Sequence, residues 1–272
     1  MNIKRVIMLG DVVGEFGLAA LERQLPRMIT EYKADFVTVN GENAADGFGM
    51  SEATLNRMFA AGADVVTSGN HVWEKREFWT VLRNEKRVLR PANYPAGVEG
   101  RGWIIIEKNN VSYLVINLQG RKMMTPIDCP FGTFDAIFNA DASSCVALGG
   151  AHSNEQSAPV VLVDFHAETT HEKEALAFYL DGRAAVIAGT HTHVQTADNR
   201  ILPKGSAYIT DLGMTGVTDS VIGMDAKICV ERAKKHIPYH MECAQGTASV
   251  QGIVVEINIE TGKAVKIDLV NQ

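Results

Sequence analysis

The chain has 272 residues, of which 46% are hydrophobic and 21% charged, and its formal net charge is −6. That length allows one large domain with a substantial core, and the composition is ordinary for a globular protein. Acidic and basic residues are scattered and net acidic, which argues against a general electrostatic grip on long nucleic acid but leaves a small anionic substrate open if cations sit in its site.

At the start, Lys4 and Arg5 precede only Val6-Ile7-Met8-Leu9 before Gly10 and Asp11 interrupt the run, so no secretory signal is read. No segment approaches the roughly 18 consecutive apolar residues of a membrane span, and no membrane partner is expected. Cys129, Cys145, Cys229 and Cys243 form no C-x-x-C pair. A cytoplasmic protein with reduced thiols is the expectation.

In chain order, the β-branched runs Val6 to Leu9, Phe36 to Val39 and Val65 to Thr67 predict buried strands. Leu18-Leu21-Leu25-Met28-Ile29 and Leu55-Met58-Phe59 carry helical spacing between them, with Ser51 as the N-cap of the second helix. This alternation implies βαβ units and parallel pairing. Ile104 to Ile106 and Tyr113 to Ile116 flank Asn109-Asn110 and predict a hairpin. "NLQGRKMMTPIDCPFGTF" then reads as a loop-rich stretch. The alternation resumes with a strand at Val160 to Val163, a helix from about Glu172 to Leu180 and a strand at Ala184 to Ala188. "AYITD" is a further strand, and Ile253 to Ile259 with Val265 to Leu269 form a closing hairpin. No repeat or linker is visible, so residues 1–272 are expected to form a single domain.

Polar residues cluster where these strands end. The first leads to Asp11, the second to Glu42 and Asn43, the third to Asn70 and His71. The strand at 160 leads to His166, and the strand at 184 to His191 and His193. Extended chain places residues i and i+2 on one side, so His191 and His193 are expected to point the same way. Singly, each has a bland reading: Asp11 as a helix cap, Asn43 and Asn70 as turn residues, His166 as a satisfied buried histidine. Ligands bind beyond the carboxyl ends of strands in open α/β sheets, and a repeated coincidence there is most economically a metal centre. Oxygen and nitrogen donors without sulfur suit manganese, iron or zinc. Seven candidates are too many for one tetrahedral ion but suit two ions sharing a carboxylate, a pairing found in phosphatases and nucleases.

The segments "GDVVG", "NGENAAD", "SGNHVW", "DFHAE" and "GTHTHV" resemble, in order, the D-x-H, G-D-x-x-D, G-N-H, lone-His and G-H-x-H motifs of the calcineurin-like metallophosphoesterases. Val13 stands where the D-x-H histidine would be, and Glu42 replaces the bridging aspartate. Those departures, together with "ITDLGMTGVTDSVIGM", resemble the bacterial YmdB branch, over residues 4 to about 225. The resemblance implies a layered α/β metallophosphoesterase sandwich, two mixed β-sheets flanked by helices, with the metal site at the carboxyl ends of strands.

The resemblance also implies roles. Asp11, His193 and Asn43 would hold one ion, Asn70, His166 and His191 the other, and Glu42 would bridge. The two divalent or trivalent ions per chain would be iron or manganese, with zinc as an alternative. His71 would protonate the leaving oxygen, although Val72 stands where an acidic residue often follows G-N-H. Asn43 and Arg121 are candidate substrate contacts, and Asp211 is expected to support the ligands. His152, His171, His236 and His240 are expected at the surface. The implied activity is a dinuclear-metal phosphodiesterase acting on small phosphodiesters such as 2′,3′-cyclic nucleotides, with a regulatory role compatible with it. No extended nucleic-acid binding is expected, and a homo-oligomer is compatible with these features. The alternative is a non-catalytic regulator binding nucleotides or proteins on the same fold.

Overall fold

Successive residues of the first strand leave on opposite faces, and both faces are covered. In β1 (Ile3–Leu9), Val6 and Met8 enter one apolar core while Ile7 and Leu9 enter another. A strand imposes that period of two, and burial on both sides makes the run continuously apolar. The computed structural model describes residues 2–140 and 158–272, so Cys145 and His152 lie outside the described residues.

After β1 come β2 (Asp11–Val12), α1 (Gly14–Tyr32), β3 (Phe36–Asn40), α2 (Glu52–Ala61), β4 (Val65–Thr67) and α3 (Phe78–Asn84). The chain continues through β5 (Trp103–Lys108), β6 (Val111–Gln119), α4 (Pro130–Ala140), β7 (Val160–His166), α5 (Thr170–Leu180) and β8 (Val186–Thr190). It closes with β9 (Arg200–Ile201), β10 (Ala207–Ile209), β11 (Met214–Val217), α6 (Ala226–Lys235), β12 (Ala248–Asn258) and β13 (Lys263–Asn271).

One sheet has the order β2-β11-β12-β1-β3-β4, with β13 also paired to β12; the other runs β5-β6-β7-β8-β10-β9. The first is parallel from β1 through β4 and antiparallel around β12. The second is parallel from β6 through β10 and antiparallel at both edges. Between the sheets, Val6, Met8 and Phe36 meet Tyr113, Val115 and Leu162. The Phe36 and Tyr113 rings stack there with centroids 4.2 Å apart. Leu18, Leu21 and Leu25 of α1 cover the outer face of the first sheet, and Phe134 of α4 with Leu176 and Leu180 of α5 cover that of the second. Each such side chain contributes about 1.5–3 kcal/mol on full burial. The result is the expected layering of helix, sheet, sheet and helix.

Local signals act as read. Ser51 Oγ accepts from the Thr54 N–H at 3.2 Å while Thr54 Oγ1 accepts from the Ser51 N–H at 3.0 Å, a reciprocal cap on α2. Asn109 and Asn110, with φ of 52° and 60°, turn the β5–β6 hairpin. The stretch expected to be loop-rich differs: β6 runs to Gln119, and α4 starts at Pro130, where a missing N–H costs nothing. α3 and α6 also go beyond the sequence expectation.

Candidate metal centre

Seven side chains from five strand ends converge in one place. β2 opens with Asp11, the turn after β3 carries Glu42 and Asn43, and Asn70 follows β4. His166 ends β7, and His191 and His193 follow β8. Gly69 is required by close approach: a Cβ there would run into the His166 ring and Glu42 Oε2. Asp11, Glu42 and His166 are fully buried, and Asn43 nearly so.

The donors fall into two groups. His166 Nε2 lies 3.0 Å from Glu42 Oε1, 3.1 Å from Asn70 Oδ1 and 3.0 Å from His191 Nδ1. His193 Nε2 lies 3.1 Å from Asn43 Nδ2 and 3.8 Å from Asp11 Oδ1. Glu42 joins them, because Oε1 is also 3.4 Å from Asn43 Nδ2. All seven predicted ligands are therefore together, with Glu42 in the middle.

Each imidazole is oriented from behind. Thr190 Oγ1 donates its single proton to Asp164 Oδ1 at 2.7 Å, so His166 Nδ1–H donates to that hydroxyl at 2.9 Å. Glu168 Oε2 faces His191 Nε2 at 3.0 Å, and the Ile222 carbonyl accepts from His193 Nδ1–H at 2.8 Å. The far nitrogens carry the protons, leaving the lone pairs of His166 Nε2, His191 Nδ1 and His193 Nε2 turned inward. Such outer partners fix the tautomer of a metal-binding histidine. Asp164 in turn accepts from Thr67 Oγ1 at 2.5 Å and Asn40 Nδ2 at 3.0 Å.

The donor set fits cations. Two imidazole lone pairs 3.0 Å apart repel unless positive charge lies between or beside them. Asp11 Oδ1 and Asn43 Oδ1 are buried without a hydrogen-bond partner, a costly state that a cation would relieve. Burial pushes the Asp11 carboxyl up to about 6, against the pull of His193 and His166. Burial also opposes charge on His166 and Glu42, but their mutual attraction outweighs it, holding Glu42 at about 2 and lifting His166 to about 9. Burial, reinforced by His166, lowers His191 to about 3. Without a metal, a fully buried imidazole must take up the positive charge that the two carboxylates demand.

His71 stands at the edge, half-buried. Its backbone N–H donates to Glu42 Oε2 at 3.3 Å, its Nδ1 faces Glu74 Oε1 at 3.3 Å, and the Phe48 ring meets it edge-on at 5.1 Å. Val72 left open what orients this ring; Glu74, three residues along in the same turn, faces it. Beside His193 a cleft of about 360 Å³ is lined by Val194, Met214, Thr218, Ser220 and Ile222. That volume suits a small ligand.

One expectation needs correction. His191 and His193 do not continue an extended strand: β8 ends at Thr190, and their φ angles are 101° and 63°. They converge through a left-handed turn and serve different groups. Arg121 is exposed beyond β6, its backbone N–H held by the Glu172 carboxylate at 3.1 Å, and its guanidinium has no hydrogen-bonded or ionic partner among the described residues. Asp211 is fully buried and accepts from the Thr192 N–H at 3.1 Å, as a supporting residue should. His171, His236 and His240 are exposed. Asp164, Thr190, Glu168 and Glu74 escaped sequence reading, although Asp164 and Glu168 flank His166 in "DFHAE".

A family model described as YmdB-like protein matches residues 7–270. The chain is 43% identical over 264 residues to the 2′,3′-cyclic-nucleotide 2′-phosphodiesterase of Bacillus subtilis (strain 168), covering 97% of this chain and 95% of the relative. It resembles the crystal structure of a novel phosphatase from Mycoplasma pneumoniae with a TM-score of 0.89 and 32% identity, covering 100% of this chain and 94% of that one. A hypothetical protein from Thermus thermophilus superposes with a TM-score of 0.86 and 39% identity over 98% of both chains.

Proposed function

The chain belongs to the YmdB-like protein family, and from that premise we propose that it is a metal-dependent phosphodiesterase hydrolysing small 2′,3′-cyclic nucleotides. The observation that carries this is the buried convergence of Glu42, His166 and His191, with Asp11, Asn43, Asn70 and His193 completing two donor groups. Asp11, Asn43 and His193 would hold one ion, Asn70, His166 and His191 the other, with Glu42 between them. Iron or manganese suits these donors, with zinc as the alternative. Bound there, a pair of ions supplies an activated water and neutralises charge on the phosphoryl oxygens.

The chain's own residues supply the rest. Opening a 2′,3′-cyclic phosphate at its P–O2′ bond leaves an oxygen that needs a proton. With His71 Nδ1 turned to Glu74, Nε2 is the atom free to deliver it. Asn43, beside both Glu42 and the cleft-lining His193, is the candidate substrate contact, whereas Arg121 would have to swing in from the surface. Residues 1–272 act as a single domain. A cytoplasmic location is supported by free Cys129, Cys229 and Cys243, and no described helix is long and apolar enough to cross a membrane.

The test is turnover of 2′,3′-cyclic AMP by protein purified without chelators, then stripped and reloaded with manganese or iron. The expected outcome is hydrolysis that disappears on stripping and returns on reloading. Metal-loaded protein that binds the nucleotide without turning it over would favour a regulator instead.

A further inference from the structure

We propose that Lys173 and Asp211 form a buried clamp fixing the turn that carries His191 and His193, and so act as positioning residues for both donor groups at once. The inference rests on the reading of those histidines as metal ligands. Residues 173, 176, 177 and 180 share one face of α5 by helical spacing. Leu176, Ala177 and Leu180 are core residues there, yet the fourth position is a lysine only 1% exposed. A lysine in an apolar slot is costly unless its ammonium meets an anion. Lys173 Nζ lies 2.7 Å from Oδ2 of the fully buried Asp211. Gly189 in β8 leaves the passage for its stem: a Cβ there would run into the Thr210 carbonyl and stand 2.9 Å from Lys173 Cδ.

The pair holds the turn directly. Asp211 Oδ2 also accepts from the Thr192 N–H at 3.1 Å, and Oδ1 accepts from the Gly213 N–H at 2.9 Å. Thr196 braces Asp211 from the other side, accepting the Asp211 N–H on Oγ1 at 3.0 Å and donating its own N–H to the Asp211 carbonyl at 3.1 Å. Thr192 lies between two non-glycine residues in left-handed conformation. Such backbone persists only where the surroundings over-determine it. Asp11 helps, accepting from the His191 N–H at 3.2 Å, but Asp11 is itself a candidate ligand. Asp211 is not, and its charge is matched by Lys173. Because His191 faces His166 while His193 faces Asn43, a shift of this one turn displaces donors of both groups.

The test compares Lys173→Met, Asp211→Asn, their double variant and Lys173→Arg, with Leu25→Ala as a core truncation in α1 that lowers Tm alone. Either single change strands a buried ion and is the more prone to misfolding; the neutral double variant keeps the question answerable. Amide exchange at His191 and Thr192, whose N–H groups are the ones held in this turn, is measured in chelator-treated protein, and manganese affinity by titration. In the double variant, exchange at both amides should quicken about tenfold while the β6–β7 ladder is unchanged. Manganese affinity should fall by roughly 10- to 100-fold. Lys173→Arg should recover part of both effects, and Leu25→Ala should show neither. A folded double variant with wild-type exchange and wild-type affinity overturns the clamp. If the wild-type protein binds no manganese, the ligand reading fails, and the exchange rates alone decide the clamp.

Discussion

Glu42 is the residue on which the two donor groups depend, since one carboxylate oxygen lies within 3.4 Å of both His166 Nε2 and Asn43 Nδ2. An amide cannot neutralise two cations. Glu42→Gln should therefore lower metal content from about two ions per chain and abolish turnover; a variant keeping both metals and full activity contradicts the bridging role. His71 differs, because it is not among the inward-facing donors. His71→Ala should leave metal content and Tm nearly unchanged while kcat falls by roughly 10²–10⁴-fold, with a smaller loss for nitrophenyl esters, whose leaving group needs no proton. Equal losses for good and poor leaving groups would remove the acid role. The ligand types were legible because strands deliver them at their carboxyl ends beside turns. Their partners from distant elements were not. Nothing near Lys173 in the chain announces Asp211, and nothing in "GTHTHV" shows that its two histidines reach their places through left-handed backbone.

Among the elements, α1 and α2 are tied across their exposed faces by Arg57, whose guanidinium meets Glu15 at 2.7 Å and Glu22 at 2.8 Å. Hydrogen bonding to Arg57 depresses both carboxyl pKa values, against a smaller opposing effect of burial. A depressed folded pKa stabilises above the unfolded value and loses that contribution as pH falls through the folded value. The carboxylates are largely solvent-exposed, so each pair should contribute only about 0.2–1 kcal/mol. Arg57→Met should lower Tm modestly at pH 7, and the gap should close below the ordinary carboxylate range of about 4.5. A gap independent of pH would mean that Arg57 acts through packing. Legibility at this scale followed burial. The buried stretches of β1, β3, β7 and β8 are covered on both faces and read as mainly apolar runs. α4 was hidden by two prolines and a glycine that elsewhere mark loops. α6 buries none of its residues, and Ile228 and Val230 are the only large aliphatic side chains in its ten residues, too few to announce a helix.

For the molecule as a whole, the two-sheet architecture brings strand ends from residues 11 to 193 to one mouth, while the net charge of −6 leaves no evident track for a polyanion. Local positive charge at that mouth would serve one phosphodiester with its sugar and base. Mononucleotide 2′,3′-cyclic phosphates should show a higher kcat/KM than long single-stranded RNA, with little dependence on salt because few counterions are released. Preferred cleavage of long RNA with a steep salt slope would reveal a basic surface that the charge distribution does not suggest. The layered fold was legible because its alternation of strands and helices is regular, and the order of motifs along it identified the family. The central claim is that two ions sit among seven side chains, and anomalous diffraction from manganese-loaded crystals measures it most directly. The expected result is two peaks roughly 3.5–4 Å apart, one against Asp11, Asn43 and His193 and one against Asn70, His166 and His191, with Glu42 touching both. Peaks lying elsewhere, or none at this site in fully loaded protein, would contradict the account.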